Sequence, residues 1–452
     1  MKTNSLNLTT QNIPSLIKQL AIPASTGMFF NTMYNVVDTF YAGLISTQAI
    51  SALTLSFMIF FLIIGFGYGF SSAITALLGN ALGKRRYKLA SIYAHKGLIF
   101  VPLIGLSLSI LGFFFAPSLF ILLGAKEEYL QISLDYINPI LFGAVFFMFN
   151  FSLNSILVAT GDTKTYRNSL IFGFFANLVF NPLFMYGFLF IPAMGIKGIA
   201  IATVLIQVIN MFYLFYKVLQ TKLIHFEKLE YFIPDIRVYK QFLIQGIPSS
   251  LNMLTMAIGS LILTYFVSHY GMYAVAGFGI GYRVEQLMLL PALGLSTAVL
   301  SLVSNNYGAK KYDRVIETVK ISIKYGFFIS TIGIIILTIF GKFIISLFDS
   351  NSVVINFGVD FLLIEIWIFY AYVILFICVS TLQAIKQPKM IMYIGIYRQI
   401  VAKLIISYLI VKYFELDFVY LWFGILFMIY SAAIFAYFYT NRLLKFLTNK
   451  SI

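Results

Sequence analysis

The chain has 452 residues, of which 60% are hydrophobic and 10% charged, with a formal net charge of +15. A soluble domain carries about a quarter charged residues, so this composition cannot build a water-facing surface and the bilayer must be the main solvent. A single cysteine, Cys378 in an apolar run, excludes a disulfide framework and a cysteine-rich metal site.

Crossing a membrane takes about 20 apolar residues per helix. Stretches of that kind predict twelve spans, at 15–42, 49–78, 97–122, 130–158, 166–190, 196–219, 241–269, 273–304, 322–347, 356–385, 390–413 and 418–443. The start, MKTNSLNLTTQNIPSLIK, is polar and has no signal-peptide cleavage pattern, so it is expected to stay in the mature protein. The fold class expected is an all-α polytopic membrane protein.

The distribution of charge argues against a nucleic-acid partner. Most Lys and Arg fall on the N-terminus, every second loop and the C-terminal tail, whereas the alternate loops carry only Lys126, Lys197, Lys342 and Lys412. Positive charge collects on the cytoplasmic side, which predicts cytoplasmic termini at a bacterial inner membrane.

A shift of 225 residues superposes the two halves without a gap. Ile22-Pro23 meets Ile247-Pro248, Ser25 meets Ser250, and Gly69, Ser71 and Ala73 meet Gly294, Ser296 and Ala298. Asn80, Gly83, Tyr87, Asp135, Ala159 and Lys164 likewise meet their own kind. Chance likeness between apolar segments would repeat Leu and Ile, not Pro, Gly, Asn and Asp. Six spans return the chain to the same side, so the repeats are parallel. The expected organisation is an N-terminal six-helix lobe at 1–220, a charged cytoplasmic linker at 221–240 and a C-terminal lobe at 241–452, the lobes enclosing a central cavity.

Ionisable groups at membrane depth are costly and mark function by default. In the first span Asn31, Tyr34, Asn35 and Asp38 are spaced to share one helix face. Asn150 and Asn154 follow in the fourth span, Asn177 and Asn181 in the fifth, and Thr203, Gln207 and Asn210 in the sixth. No Lys or Arg lies deep in that half to neutralise Asp38. A solitary carboxylate there suits proton uptake and release, or, with amide and hydroxyl oxygens, a hard cation such as Na⁺. The structural alternative makes Asp38 an acceptor for Asn side chains.

In the other half Leu263 stands where Asp38 would repeat. Glu285 and Glu365 share their spans' depth with Arg283, Arg398 and Lys403, so buried ion pairing is the natural expectation and a direct ligand role the alternative. His95, His225 and His269 all fall at loops or span ends, and GNALGKR at 79–85 is no phosphate-binding loop. No cofactor and no metal beyond Na⁺ at Asp38 is expected.

The strings IPASTGMFFNTMYNVVDTFYAG, GFGIGYRVEQLMLLPALGLSTAVLSLVSNNYGAKKYDRV, LNSILVATGDTKTYRN and STLQAIKQPK make the chain resemble the multidrug and toxic compound extrusion (MATE) family, on its DinF-like bacterial branch. The resemblance covers essentially the whole chain. It implies an antiporter, not an enzyme, in which an organic, often cationic compound leaves as H⁺ or Na⁺ enters. It assigns ion coupling to Asp38, within VVDTF, joined by Asn177, Asn181 and Thr203, and leaves Asn31, Tyr34, Asn35, Asn154, Gln207 and Asn210 as substrate-cavity candidates. The family often reads Asn-x-x-x-Asp-Pro in the fifth span; here Asn181 replaces the second carboxylate. The expected partners are a small organic cation and the lipid bilayer, with the protein a monomer.

Two other transporter readings share the duplicated plan. A flippase of lipid-linked oligosaccharides needs several basic residues in its cavity, and a major-facilitator transporter needs the Asp-Arg pattern that GNALGKRRYK lacks. A membrane-embedded acyltransferase needs a His beside a carboxylate at depth, and the sequence shows none.

Overall fold

The computed structural model describes residues 6–449. Lipid offers no partner for backbone polar groups, so each apolar run satisfies its own as a helix. In chain order these are α1 (Ile13–Ile45), α2 (Thr47–Gly83), α3 (Tyr87–Leu122), α4 (Glu127–Ala159), α5 (Lys164–Tyr186) and α6 (Ile196–Leu219). The second repeat follows with α7 (Ile236–Val267), α8 (Met272–Gly308), α9 (Tyr312–Ser346), α10 (Ser352–Glu365), α11 (Ile368–Ala384), α12 (Pro388–Ile396), α13 (Ala402–Tyr408) and α14 (Phe418–Asn449). One π-helical stretch, Tyr397–Val401, joins α12 to α13, and a second, Leu409–Tyr413, extends them into a continuous span to Tyr413.

Ten of these spans are long and apolar enough to cross a membrane, and α10 with α11 makes an eleventh across a 54° bend. The twelfth is α1, whose Asn31, Asn35 and Asp38 dilute an otherwise apolar helix of 33 residues. Large apolar side chains stand outward, with Phe114 75% and Leu122 81% exposed. A belt of that kind is at home only in lipid.

The described chain forms two compact units, Thr26–Ser250 and Leu6–Ser25 with the chain from Leu251 onward. They differ from lobes at 1–220 and 241–452 by the opening turns of each repeat's first helix. Ile13, Leu16, Ile17 and Leu20 of α1 are buried with Leu295, Ala298 and Leu302 of α8. In the first unit, Phe242 of α7 packs on Phe100 with ring centroids 5.7 Å apart.

Two glycines permit these approaches, and they are repeat-equivalents. A Cβ at Gly69 would collide with the Ser250 backbone, and one at Gly294 with that of Ser25. Gly69→Val and Gly294→Val should therefore each lower stability by about 1–3 kcal/mol, the usual cost of overpacking. Melting of the purified variants measures this, with Gly279→Ala as control, because nothing lies within 4 Å of a Cβ there.

The linker is pinned to α3. The His225 N–H donates to His95 Nε2 at 3.0 Å, which leaves Nδ1 as the donor to the Ser91 carbonyl at 2.8 Å. Ser91 Oγ donates to the Leu223 carbonyl at 2.6 Å, and Lys96 donates to that of Ile233.

Candidate functional site

Asp38 is 4% exposed, and its hydrogen-bond partners come from two other helices. Asn177 and Asn181 lie one turn apart on α5, so both side chains leave the same face. Each donates its Nδ2 to Asp38 Oδ1 at 2.8 Å. Asn181 Nδ2 also donates to Asn177 Oδ1 at 2.9 Å, and Thr203 Oγ1 of α6 donates to Asp38 Oδ2 at 3.4 Å. Asn177 and Asn181 are fully buried and Thr203 nearly so. Four residues that the sequence scatters over three spans thus form one pocket with a single carboxylate.

The polar face of α1 is divided. Tyr34 turns inward with Asp38 and packs with Ala176, Ile206 and Phe180. A Cβ at Gly173 would lie 3.5 Å from Asn210 Nδ2 and 3.8 Å from the Tyr34 ring, so Asn210 borders the same seam. Asn31 and Asn35 are exposed, and Asn35 Nδ2 donates to the Asn31 carbonyl of its own helix at 3.0 Å. They do not join the hydrogen bonds around Asp38, although the spacing groups them with it.

The fourth-span amides form a separate polar spot. Asn150 Nδ2 donates to both the carbonyl and Oε1 of Gln207 at 2.9 Å, tying α4 to α6. Asn154 is half-buried, with its Oδ1 buried and unpartnered. Tyr136 of α4 was not singled out in the sequence. It is buried and lies near enough to Asp38 to feel its charge, which the sequence around it, with Asp135 as its chain neighbour, does not signal.

The second unit holds a different cluster. Glu285 on α8, Glu365 at the end of α10, Arg398 in the π stretch and Lys403 on α13 are each no more than 6% exposed. Arg283 stands apart from them as an exposed residue of α8. No ion pair within hydrogen-bonding reach joins the four among the described residues. Lys403 Nζ instead donates to Gln399 Oε1 at 2.8 Å, and the Arg398 guanidinium lies 5.3 Å from the centre of the Tyr372 ring. Glu365 Oε1 and two nitrogens of Arg398 have no partner. The charges of Glu285, Glu365 and Lys403 nevertheless act on one another across the cluster.

Backbone irregularity makes room for it. Glu365 sits at the 54° bend, and π stretches inside helices recur at functional sites. A Cβ at Gly259 of α7 would lie 3.1 Å from Lys403 Nζ and closer still to Gln399. Glycine there lets α7 approach the lysine without displacing Gln399. Among the described residues no group of His, Cys, Asp or Glu is placed to hold a metal ion.

Comparison with known proteins agrees with the duplication. The MatE family model matches residues 23–183 and again 248–409, the second match starting 225 residues after the first. The probable multidrug resistance protein YoeA of Bacillus subtilis is 27% identical over 72% of this chain and 70% of its own. An FAD transporter of Shewanella oneidensis is 25% identical over 87% of both. Among solved structures, an outward-facing multidrug resistance MATE family transporter superposes with a TM-score of 0.91 at 25% identity, covering 99% of this chain and 100% of its own. A MOP superfamily transporter from Pyrococcus furiosus, whose binding pocket is described as reversed in polarity, does so with the same score and identity over 99% of both chains. A twelve-helix membrane chain, written twice and matched in both halves, is thus a multi-pass transporter of the MATE, multidrug and toxic compound extrusion, family.

Proposed function

We propose that the protein exports an organic cation by alternating access, driven by H⁺ entering through Asp38, with both termini in the cytoplasm. The observation that carries the choice of ion is the direction of the amide hydrogen bonds. Asn177 and Asn181 both present N–H groups to Asp38 Oδ1, and Asn177 Oδ1 is already taken by Asn181. That arrangement solvates a bare carboxylate and lets go when a proton arrives. A dehydrated Na⁺ prefers several charged or carbonyl oxygens, and to supply them the amides would have to turn over.

Asn31 and Asn35 take the substrate-contact role. Exposed amides on a spanning helix do not face lipid without cost, and they sit within two turns of Asp38. Protonation of Asp38 and substrate release then act on one helix. The twin clusters of charge and amide sit in different units, so the Asp38 pocket alone is assigned the coupling step.

Proteoliposomes given a pH gradient or a Na⁺ gradient, one at a time, test this with a panel of cationic dyes and FAD as the comparison substrate. The pH gradient should drive dye export in Na⁺-free buffer, and added Na⁺ should change the rate less than twofold. Asn181→Asp should create a Na⁺ response by adding a second carboxylate. Na⁺-driven export at constant pH by the unmodified protein would refute proton coupling.

A further inference from the structure

Away from Asp38 and the charged cluster, the second unit carries a crevice of about 320 Å³ between α9, α11 and α14. Its α9 wall is Ile316, Val319, Ile323 and Phe327, which share one helix face. From first to last that stripe runs roughly 16 Å at 1.5 Å per residue, about the depth of one leaflet in a ~30 Å hydrocarbon core. Large outward side chains flank the crevice on both sides, with Phe328 68% and Phe438 66% exposed, so its surroundings are apolar.

One end is different. Lys320, exposed on α9, and Asn441, on α14, line the crevice near that end, one turn inside Ile316 and Leu444, and Glu317 does not. Lys324 follows one turn along α9, and Arg442 and Lys445 flank Asn441 on α14. The positive charge gathers at the end of the helices assigned above to the cytoplasmic side.

We propose that this crevice binds a phospholipid with an anionic headgroup, its acyl chain along the α9 stripe and its phosphate on Lys320. Beyond Lys320 the slot runs roughly 10 Å to Phe327 at 1.5 Å per residue, which seats the upper part of a lipid chain. A basic mouth between spanning helices on the cytoplasmic side matches an acidic headgroup. A water-soluble ligand would gain nothing from the stripe, and a zwitterionic lipid would gain less from the lysine, because its own cation offsets the phosphate charge.

The test is native mass spectrometry of the intact protein purified in detergent, with phosphatidylglycerol or phosphatidylcholine of identical chains added. Phosphatidylglycerol should be retained about fivefold more strongly, the scale of one lysine contact at a membrane surface. Lys320→Gln should remove that preference, Ile323→Trp should fill the slot and reduce retention of both lipids, and the control Lys412→Gln should change neither. Melting curves check that each variant is folded. Equal retention of the two lipids, or a preference that survives Lys320→Gln, would overturn the proposal. So would displacement by soluble glycerol phosphate, which marks a bare anion site, or a protein dimer lost in Ile323→Trp, which marks a contact between copies.

Discussion

Replacing Asp38 by asparagine is expected to cut gradient-driven export at least 100-fold and leave the protein folded. The pocket can absorb the change. The substituted amide would still offer one side-chain oxygen to the Nδ2 groups of Asn177 and Asn181, which now meet Asp38 Oδ1 at 2.8 Å. Its own amide hydrogens would face Thr203, whose hydroxyl can accept as readily as it donates. The cost is the difference between hydrogen bonds to a charged and to a neutral acceptor, about 1–2 kcal/mol. What disappears is the pocket's carboxylate, the group to which proton coupling is assigned above.

Asp38→Ala should behave differently. It leaves Asn177 Nδ2 without its acceptor and Asn181 Nδ2 with only Asn177 Oδ1, at about 1–3 kcal/mol for an orphaned buried donor, so loss of export comes with loss of stability. Dye efflux in proteoliposomes, set beside melting of both variants, separates the two effects. Near-normal uphill efflux by Asp38→Asn would remove Asp38 from the coupling step.

The residues of the pocket are largely legible in the sequence. Asp, Asn and Thr in apolar spans stand out by type, and the four-residue step between Asn177 and Asn181 fixes a shared face on any helix. The repeat was legible too, because Pro23 with Pro248 and Gly69 with Gly294 cannot recur by shared apolarity. What the repeat does not say is which unit each first helix joins. The pairing of Gly69 with Ser250, and of Gly294 with Ser25, crosses the register and needs three-dimensional contacts to appear.

Facing was the other blind spot. Tyr34 and Asn35 are chain neighbours on one polar arc, yet one is buried and the other exposed. The boundary is drawn by where α5 and α6 press on α1, and helical spacing on α1 alone contains no trace of it. Arg283 and Glu285 part company more simply, because residues two apart on a helix point to opposite sides. The bend after Glu365 and the π stretch at Tyr397–Val401 lie in segments without an internal Pro, so no local residue announces them. Both carry buried charge, Glu365 at the bend and Arg398 in the π stretch.

Lys403→Met is the substitution expected to damage the second unit most. The ammonium is 6% exposed, is held by Gln399 at 2.8 Å, and stands against the bare backbone of Gly259. Methionine keeps most of the volume, so packing is nearly conserved while the charge is lost. Glu285 and Glu365 then share a buried cluster whose remaining cation, Arg398, is engaged over the Tyr372 ring. Removing one partner from a set of buried charges costs about 3–5 kcal/mol, more than is expected of Asp38→Asn. Glu365→Gln alone should cost less, because Glu365 Oε1 already lacks a donor and no direct ion pair is broken. The double variant carrying Lys403→Met and Glu365→Gln should therefore recover at least half of the lost melting temperature. Packing alone predicts no such recovery, since the second change adds no contact. A double variant as unstable as Lys403→Met would assign the lysine to packing, whereas recovery of stability without transport would make the cluster part of the export cycle as well as of the fold.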